Sequence, residues 1–330
     1  MNTKKFTYYF LLLTFIALSV VAIINYAIDP YWTFKHSNAL NNKQVDFDER
    51  QQKTNYLYFV NHNFDSLLLG SSRTTYLKES HFKGKFFNYA SNGMYPYEYE
   101  YFINTFKTLT QTEPHEIIIG VDFFGSNKSE NMKPSSLSYY ENTISPLYRF
   151  KLLVNYNILK HSFQNMKQNM LLKKNFYNRE RVKDIRKIKD LHMQINSTIK
   201  KLKDYQYDDA LPYYWVELQT KFPNSKFTIF TTPVTMAQLK AYRDVGLMPS
   251  YIRWLHDLVD SFGSISHFMT VNSYTMNDNN FFDSNHFTPT FGNEIAEELA
   301  HQQNKISIKL DKNTIDEYIQ DIEQKINSLE

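Results

Sequence analysis

Residues 65–74 read DSLLLGSSRT: an apolar run from Leu67 to Leu69 that stops at Gly70 and turns through Ser71, Ser72, Arg73 and Thr74. A short apolar run bounded by turn residues is the pattern of a strand buried on both faces. The pattern recurs downstream. Residues 85–93 (KFFNYASNG), 115–124 (HEIIIGVDFF) and 226–235 (KFTIFTTPVT) read as a second, third and fourth strand, and 265–274 (ISHFMTVNSY) as a weaker fifth. Helical spacing occupies most of the gaps, most clearly over residues 97–109. Short apolar strands alternating with helices predict an α/β fold, a parallel sheet between two helical layers.

The strands are unevenly spaced. Residues 125–222 separate the third from the fourth and read as a mostly helical insertion. Within it, residues 151–204 hold 14 Lys or Arg against 4 Asp or Glu, a local charge of +10 in a chain whose net charge is +3. A solvated helical face accounts for such a stretch. Contact with anionic lipid headgroups or an anionic polymer is the sharper expectation. In the tail, 303–330, Ile315, Ile319, Ile322 and Ile326 lie at helical spacing after Asn313 and Thr314, either a suitable N-cap; this predicts an amphipathic helix docked on the domain, with a partner as the alternative occupant of its face. There are no internal repeats.

Upstream of the first strand, residues 6–28 (FTYYFLLLTFIALSVVAIINYAI) carry no charge over 23 positions. At about 1.5 Å per residue they reach roughly 34 Å, enough to cross a hydrocarbon core of about 30 Å. Lys4 and Lys5 precede the run, Asp29 and Pro30 end it, and Tyr8, Tyr9 and Tyr26 stand near its ends. A retained signal anchor, a cleaved signal peptide and a buried core helix all fit such a run. Its length and the lack of a small-x-small cleavage site favour the anchor. The positive-inside tendency then puts the N-terminus in the cytoplasm and the rest of the chain in the periplasm or at the cell surface. Residues 1–29 are read as cytoplasmic tip and transmembrane segment, and 30–61 as a stalk with helical patches.

A length of 330 residues accommodates an anchor plus one good-sized domain. The hydrophobic content of 42% is that of a globular chain with a real core. There is no cysteine, which excludes disulfides, zinc–cysteine sites and thiol nucleophiles. The aromatic share of 16% fits either a biased codon usage or a surface that packs on sugar rings. A nucleic-acid partner does not fit this topology.

Two segments carry chemistry. A serine at a tight strand-to-helix turn projects its hydroxyl above the sheet edge, and the following helix N-terminus offers backbone N–H groups to a developing oxyanion. In residues 69–74 that serine is Ser72 or Ser71. The second segment, 282–289, reads FDSNHFTP. Thr288 as N-cap and Pro289 as first helical residue predict a helix to about Gln302, with Asp283 and His286 on the loop before it. A carboxylate three residues before a histidine can accept from one ring nitrogen and leave the other to take a proton from a serine. Each segment alone is ordinary turn chemistry.

Together, Gly-x-Ser near the start of the fold and Asp-x-x-His before its last packed helix resemble the SGNH or GDSL family of serine hydrolases, over residues 62–302. The resemblance implies a flavodoxin-like three-layer fold and a catalytic triad of Ser72, His286 and Asp283, with no cofactor and no metal. It also implies an oxyanion hole made by the N–H groups of Ser72 and Gly93, the glycine of Asn88-Tyr89-Ala90-Ser91-Asn92-Gly93 standing in the family's second block. The third block departs from the pattern. The family has an Asn donor where this chain has Asp122, in Gly120-Val121-Asp122-Phe123, and an ionised carboxylate cannot donate to an oxyanion. The N-terminal anchor, LGSSRT, the altered third block and DSNHF are together similar to the SGNH-like proteins of cell-envelope polymer modification, which act beside membrane-bound O-acyltransferases in alginate acetylation and teichoic acid D-alanylation. This implies acyl transfer to an exported or cell-surface glycan, with such an O-acyltransferase as partner. A carbohydrate esterase and a non-catalytic scaffold of polysaccharide assembly are the alternatives. Arg73 either binds an acidic substrate group or pairs with Asp122. Tyr95, Tyr97, Phe123 and Phe124, on the rim after the second and third strands, either stack on sugars or pack internally.

Overall fold

A computed structural model of the chain describes residues 3–130, 143–171, 176–178, 181–184 and 191–328. The chain opens with α1 (Thr3–Ile28), β1 (Gln44–Val45) and α2 (Glu49–Asn55), followed by β2 (Ser66–Gly70), β3 (Phe86–Asn88), α3 (Pro96–Thr110) and β4 (Glu116–Val121). Then come α4 (Tyr148–Leu153), α5 (Tyr156–Leu171), β5 (Phe176–Tyr177), β6 (Lys183–Asp184), α6 (Leu191–Leu202) and α7 (Leu211–Lys221). The remainder is β7 (Lys226–Thr231), α8 (Met236–Asp244), α9 (Met248–Phe262), β8 (Ser264–His267), α10 (Pro289–His301), β9 (Ile308–Asp311) and α11 (Ile315–Ser328). Two compact units result: Met1–His62 with Ser135–Arg179, and Asn63–Pro134 with Glu180–Glu330.

The second unit is built on a six-stranded sheet of order β3-β2-β4-β7-β8-β9. All neighbours are parallel except β9, which runs antiparallel to β8. Numbered along the chain, the five parallel strands stand in the order 2-1-3-4-5, an α/β arrangement compatible with a flavodoxin-like fold. Successive side chains of a strand face opposite sides. Leu68, Ile118 and Phe230 pack on one face against Phe291, Ile295 and Leu299 of α10. Leu67, Leu69, Ile117 and Ile119 alternate to the other face and are equally buried. There α3, α7 and α9 form the second layer, joined by ring contacts of Tyr99 with Trp215, Trp215 with Phe262, and Phe262 with Phe227 of β7.

All five strands read from the sequence are present. The sixth, β9, pairs antiparallel with β8 on the edge of the sheet. It leads into α11, which buries Ile315, Tyr318, Ile322 and Ile326 and packs on α8 and α9. The helix expected after Ser72 is only a single 3₁₀ turn, Thr74–Tyr76, from which Leu77 leaves in extended conformation. The Thr75 hydroxyl bonds back to the Ser72 carbonyl (2.5 Å), the local competition by which threonine opposes helix propagation. Residues 125–222, read as one helical insertion, divide between the two units. Parts of the basic stretch, 172–175, 179–180 and 185–190, lie outside the described residues.

In the first unit α1 is long and apolar enough to cross a membrane. Most of its side chains are exposed, Leu13, Phe15 and Ile23 among them. Residues 30–61, read as a stalk, hold β1 and α2, whose Glu49, Gln52, Lys53 and Asn55 are buried. These polar residues enclose the turn after α1. Gln44 Nε2 donates to the Ile28 carbonyl (2.8 Å), Gln52 Nε2 to that of Pro30 (2.8 Å) and Asn55 Nδ2 to that of Tyr31 (3.1 Å).

Candidate active site

Open α/β sheets bind ligands at the carboxyl ends of strands where the winding reverses, here between β2 and β4. Gly70 ends β2 at φ 141°, and a Cβ there would come within 2.6 Å of the Gly120 carbonyl, so only glycine allows β2 to turn this close to β4. The following turn is pinned by Asn88, whose side-chain amide donates to the carbonyls of Thr74 (3.2 Å) and Leu77 (3.1 Å). Ser71 is fully buried and its hydroxyl accepts the Arg73 N–H (3.3 Å). Ser72 stands at the cleft instead.

Residues 281–287 close into a loop. Phe281 and Phe287 form an antiparallel bridge, and the Phe282 N–H donates to the His286 carbonyl (2.8 Å). Thr288 caps α10 through Phe291 N, and α10 runs to His301, as the sequence predicts. Tyr76 holds this loop to the Ser72 turn: its ring lies 5.7 Å from that of Phe287 and 6.3 Å from that of His286. Gly292 lets α10 approach Tyr76, whose carbonyl a Cβ there would meet at 2.9 Å.

The result is a continuous relay. Ser72 Oγ lies 2.8 Å from His286 Nε2, and His286 Nδ1 lies 2.9 Å from both carboxylate oxygens of Asp283. Burial alone raises the Asp283 pKa. The bond and charge of His286, with the N–H groups of Asn285 and His286, outweigh that and hold the carboxyl well below the ordinary carboxylate range. An ionised carboxylate only accepts, so Nδ1 carries the proton; in the neutral ring Nε2 is then the acceptor for the Ser72 hydroxyl. Comparison of the chain with protein-family models, curated proteins and solved structures gives no match. The reading of the site therefore rests on its own geometry.

Ser72, Arg73, Gly93 and His286 line one cleft of about 220 Å³. A larger cavity, about 960 Å³, lies in the first unit and contains none of these residues. Hydroxyl, imidazole and carboxylate converge at the smaller cleft, which makes it the candidate site. The Ser72 N–H makes no hydrogen bond among the described residues. Gly93 has φ 58°, and no atom lies within 4 Å of where its Cβ would stand.

Asp122 does not line the cleft. Its Oδ1 accepts from Arg73 Nη1 at 2.7 Å and from the Thr232 hydroxyl, and Arg73 Nη1 also donates to Thr232 Oγ1 at 3.0 Å. Arg73 and Asp122 are 3% and 4% exposed. The guanidinium, 5.4 Å from the Phe124 ring centre, is thus engaged in an internal ion pair at the cleft wall. Tyr95 is buried, stacked with Tyr97 and edge-on to Phe124 of the cleft wall, and does not itself line the cleft. Phe123 is buried among Tyr242, Tyr251 and Trp254. The sequence reading did not single out Thr232, Thr198, Leu202, Tyr242 or Asn285, of which all but Thr232 line the cleft. Thr232 directly follows β7, and the carboxyl-end rule was the signal for it. Nothing in the sequence marks Thr198 and Leu202 of α6, which reach the cleft from a distant segment. Among the described residues no group of three or more His, Cys, Asp or Glu side chains is placed to hold a metal ion.

Proposed function

We propose that this chain is a membrane-anchored, extracytoplasmic serine acyltransferase of the SGNH or GDSL type, acting on a cell-envelope or exported polysaccharide. The observation that carries the proposal is the relay from Asp283 through His286 to Ser72 at the switch point of the sheet. In this reading α1 is the anchor, with Lys4 and Lys5 on the cytoplasmic side.

His286 Nε2 takes the Ser72 proton as Ser72 Oγ attacks the carbonyl carbon of an acyl donor. Asp283 fixes the ring tautomer and stabilises the imidazolium. The N–H groups of Ser72 and Gly93 are the oxyanion donors. The tetrahedral intermediate collapses, His286 returns its proton to the leaving group, and Ser72 remains acylated. A glycan hydroxyl, deprotonated by His286, attacks the acyl-serine. A second collapse gives the acylated glycan, with the proton passing back from His286 to Ser72. Asp122 occupies the place where this family carries an Asn donor. Its charge is matched by Arg73, so the pair serves as a wall of the site. A cleft of about 220 Å³ suits a small acyl group, being below the ~300–1,000 Å³ of sites for larger ligands. An anchored site stays beside a membrane-borne donor, such as one supplied by an O-acyltransferase, and the effective concentration speeds acylation of Ser72.

The test is mass analysis of the surface polymer from cells carrying Ser72→Ala or His286→Ala. Loss of its acyl groups, with the variant still membrane-inserted, is expected. Unchanged acylation refutes the proposal and favours a scaffold. Rapid turnover of an aryl acetate by the purified chain, with no gain in acyl transfer on adding glycan, makes it an esterase.

A further inference from the structure

The first unit carries a cavity near the end of α1. Asn25 lies three residues before the end of α1, about 4–5 Å along the axis. Its side-chain amide donates to the carbonyls of Leu152 (3.2 Å), Leu153 (2.9 Å) and Asn155 (3.3 Å), and the Ser162 hydroxyl donates to its Oδ1 (2.9 Å). The corner between α4 and α5 is therefore fixed to the last turn of α1. If α1 crosses a bilayer, that corner lies at headgroup depth. Phe150, Val154 and Tyr156 on this corner are 49%, 53% and 71% exposed. Exposed apolar and aromatic side chains at that level belong to a membrane interface.

Beside them opens the cavity of about 960 Å³. Lys151, Lys160, Lys167 and His161 line it, and among the described residues no Asp or Glu does. None of the three ammonium groups has an ion-pair partner among the described residues. His161 stacks on the Phe47 ring at 4.2 Å and lies 5.6 Å from the Tyr31 ring. Its Nδ1 is buried with no hydrogen-bond partner among the described residues. Three unneutralised cations around one cavity suit an anion rich in acceptor oxygens.

We propose that this cavity binds the phosphate headgroup of an anionic phospholipid, with Lys151, Lys160 and Lys167 around the phosphate and the α4–α5 corner seated in the interface. The site is separate from the Ser72 cleft. It rests on the membrane-crossing reading of α1 and is independent of the acyl-transfer reading.

The test uses the full chain reconstituted in bilayers of phosphatidylcholine and phosphatidylglycerol, extracted with its annular lipid and weighed by native mass spectrometry. The wild-type chain retains phosphatidylglycerol. Each ammonium near an anionic headgroup contributes on the order of fivefold, so the triple change Lys151→Gln, Lys160→Gln, Lys167→Gln lowers retention by on the order of a hundredfold. The charge-preserving triple change to Arg keeps it, which separates lost charge from lost folding. Equal retention by the wild-type and Gln chains overturns the proposal. Displacement of phosphatidylglycerol by millimolar inorganic phosphate also overturns it, making the site one for free phosphate. An alkaline carbonate wash reads the anchor separately: a chain that resists the wash yet shows no preference for phosphatidylglycerol refutes the lipid site alone, whereas a chain that washes off refutes the anchor beneath it.

Discussion

Asp122→Leu isolates the role of the buried carboxylate beside Arg73. Arg73 and Asp122 are 3% and 4% exposed, their charged atoms are 2.7 Å apart, and the Thr232 hydroxyl bonds to both. Removing the carboxylate strands a guanidinium that is almost wholly buried. Breaking one side of a buried pair costs about 3–5 kcal/mol. In a unit of this size each kcal/mol moves the melting temperature by about 2–4 °C, so the expected drop is roughly 6–20 °C. Arg73→Met strands the carboxylate and costs a similar amount. The double change Arg73→Met/Asp122→Leu removes both charges and returns most of the stability, because an apolar pair of similar volume replaces the ions at little net cost. Urea unfolding of the full chain in detergent, followed by the buried Trp215 and Trp254, measures the cycle. Single changes each costing under about 1 kcal/mol, or losses that add in the double variant, refute the pairing.

Three further outcomes follow from particular atoms. A Cβ on Gly120 would come within 2.7 Å of the Phe230 ring, so Gly120→Ala lowers the urea midpoint by the ~1–3 kcal/mol of overpacking; an unchanged midpoint contradicts the close approach. Burial pushes His267 down from 6.5 to about 3, only partly offset by its bond with the Met269 backbone. The folded state thus keeps the ring neutral while the unfolded chain takes up a proton below pH 6.5, so stability is full above that pH and falls as acid is added, by about 2 kcal/mol at pH 5. His267→Gln flattens this slope between pH 7 and pH 5, and the wild-type slope in the variant refutes the assignment. Asp283→Asn removes the anion that orients His286 Nδ1–H, and the rate of serine acylation by a fluorophosphonate falls by on the order of 10⁴, with a loss under about tenfold refuting the relay.

The parallel sheet was legible because its strands are continuous apolar runs, such as Leu67 to Leu69 and Ile117 to Ile119. The helix after Thr288 was legible from its cap and Pro289. In the first unit α1 was legible from its apolar run, and the rest was not. Gln44, Gln52 and Asn55 are polar and buried, satisfied by backbone carbonyls around the end of α1, and no hydropathy pattern reports that arrangement. At the site, Ser72, Asp283 and His286 were legible because each sits in a turn with recognisable local chemistry. The partner of Arg73 stood as one of two options and required coordinates to decide. Thr198 and Leu202 reach the cleft through tertiary contact alone.

Fluorophosphonate labelling of the purified full chain, with the modified peptide sequenced by mass spectrometry, is the most direct test of the central claim that a hydroxyl, a ring and a carboxylate act as one nucleophilic unit. The account predicts one adduct, on Ser72, retained in Ser71→Ala and lost in His286→Ala. A folded wild-type chain that takes no label, or one labelled equally well without His286, contradicts it.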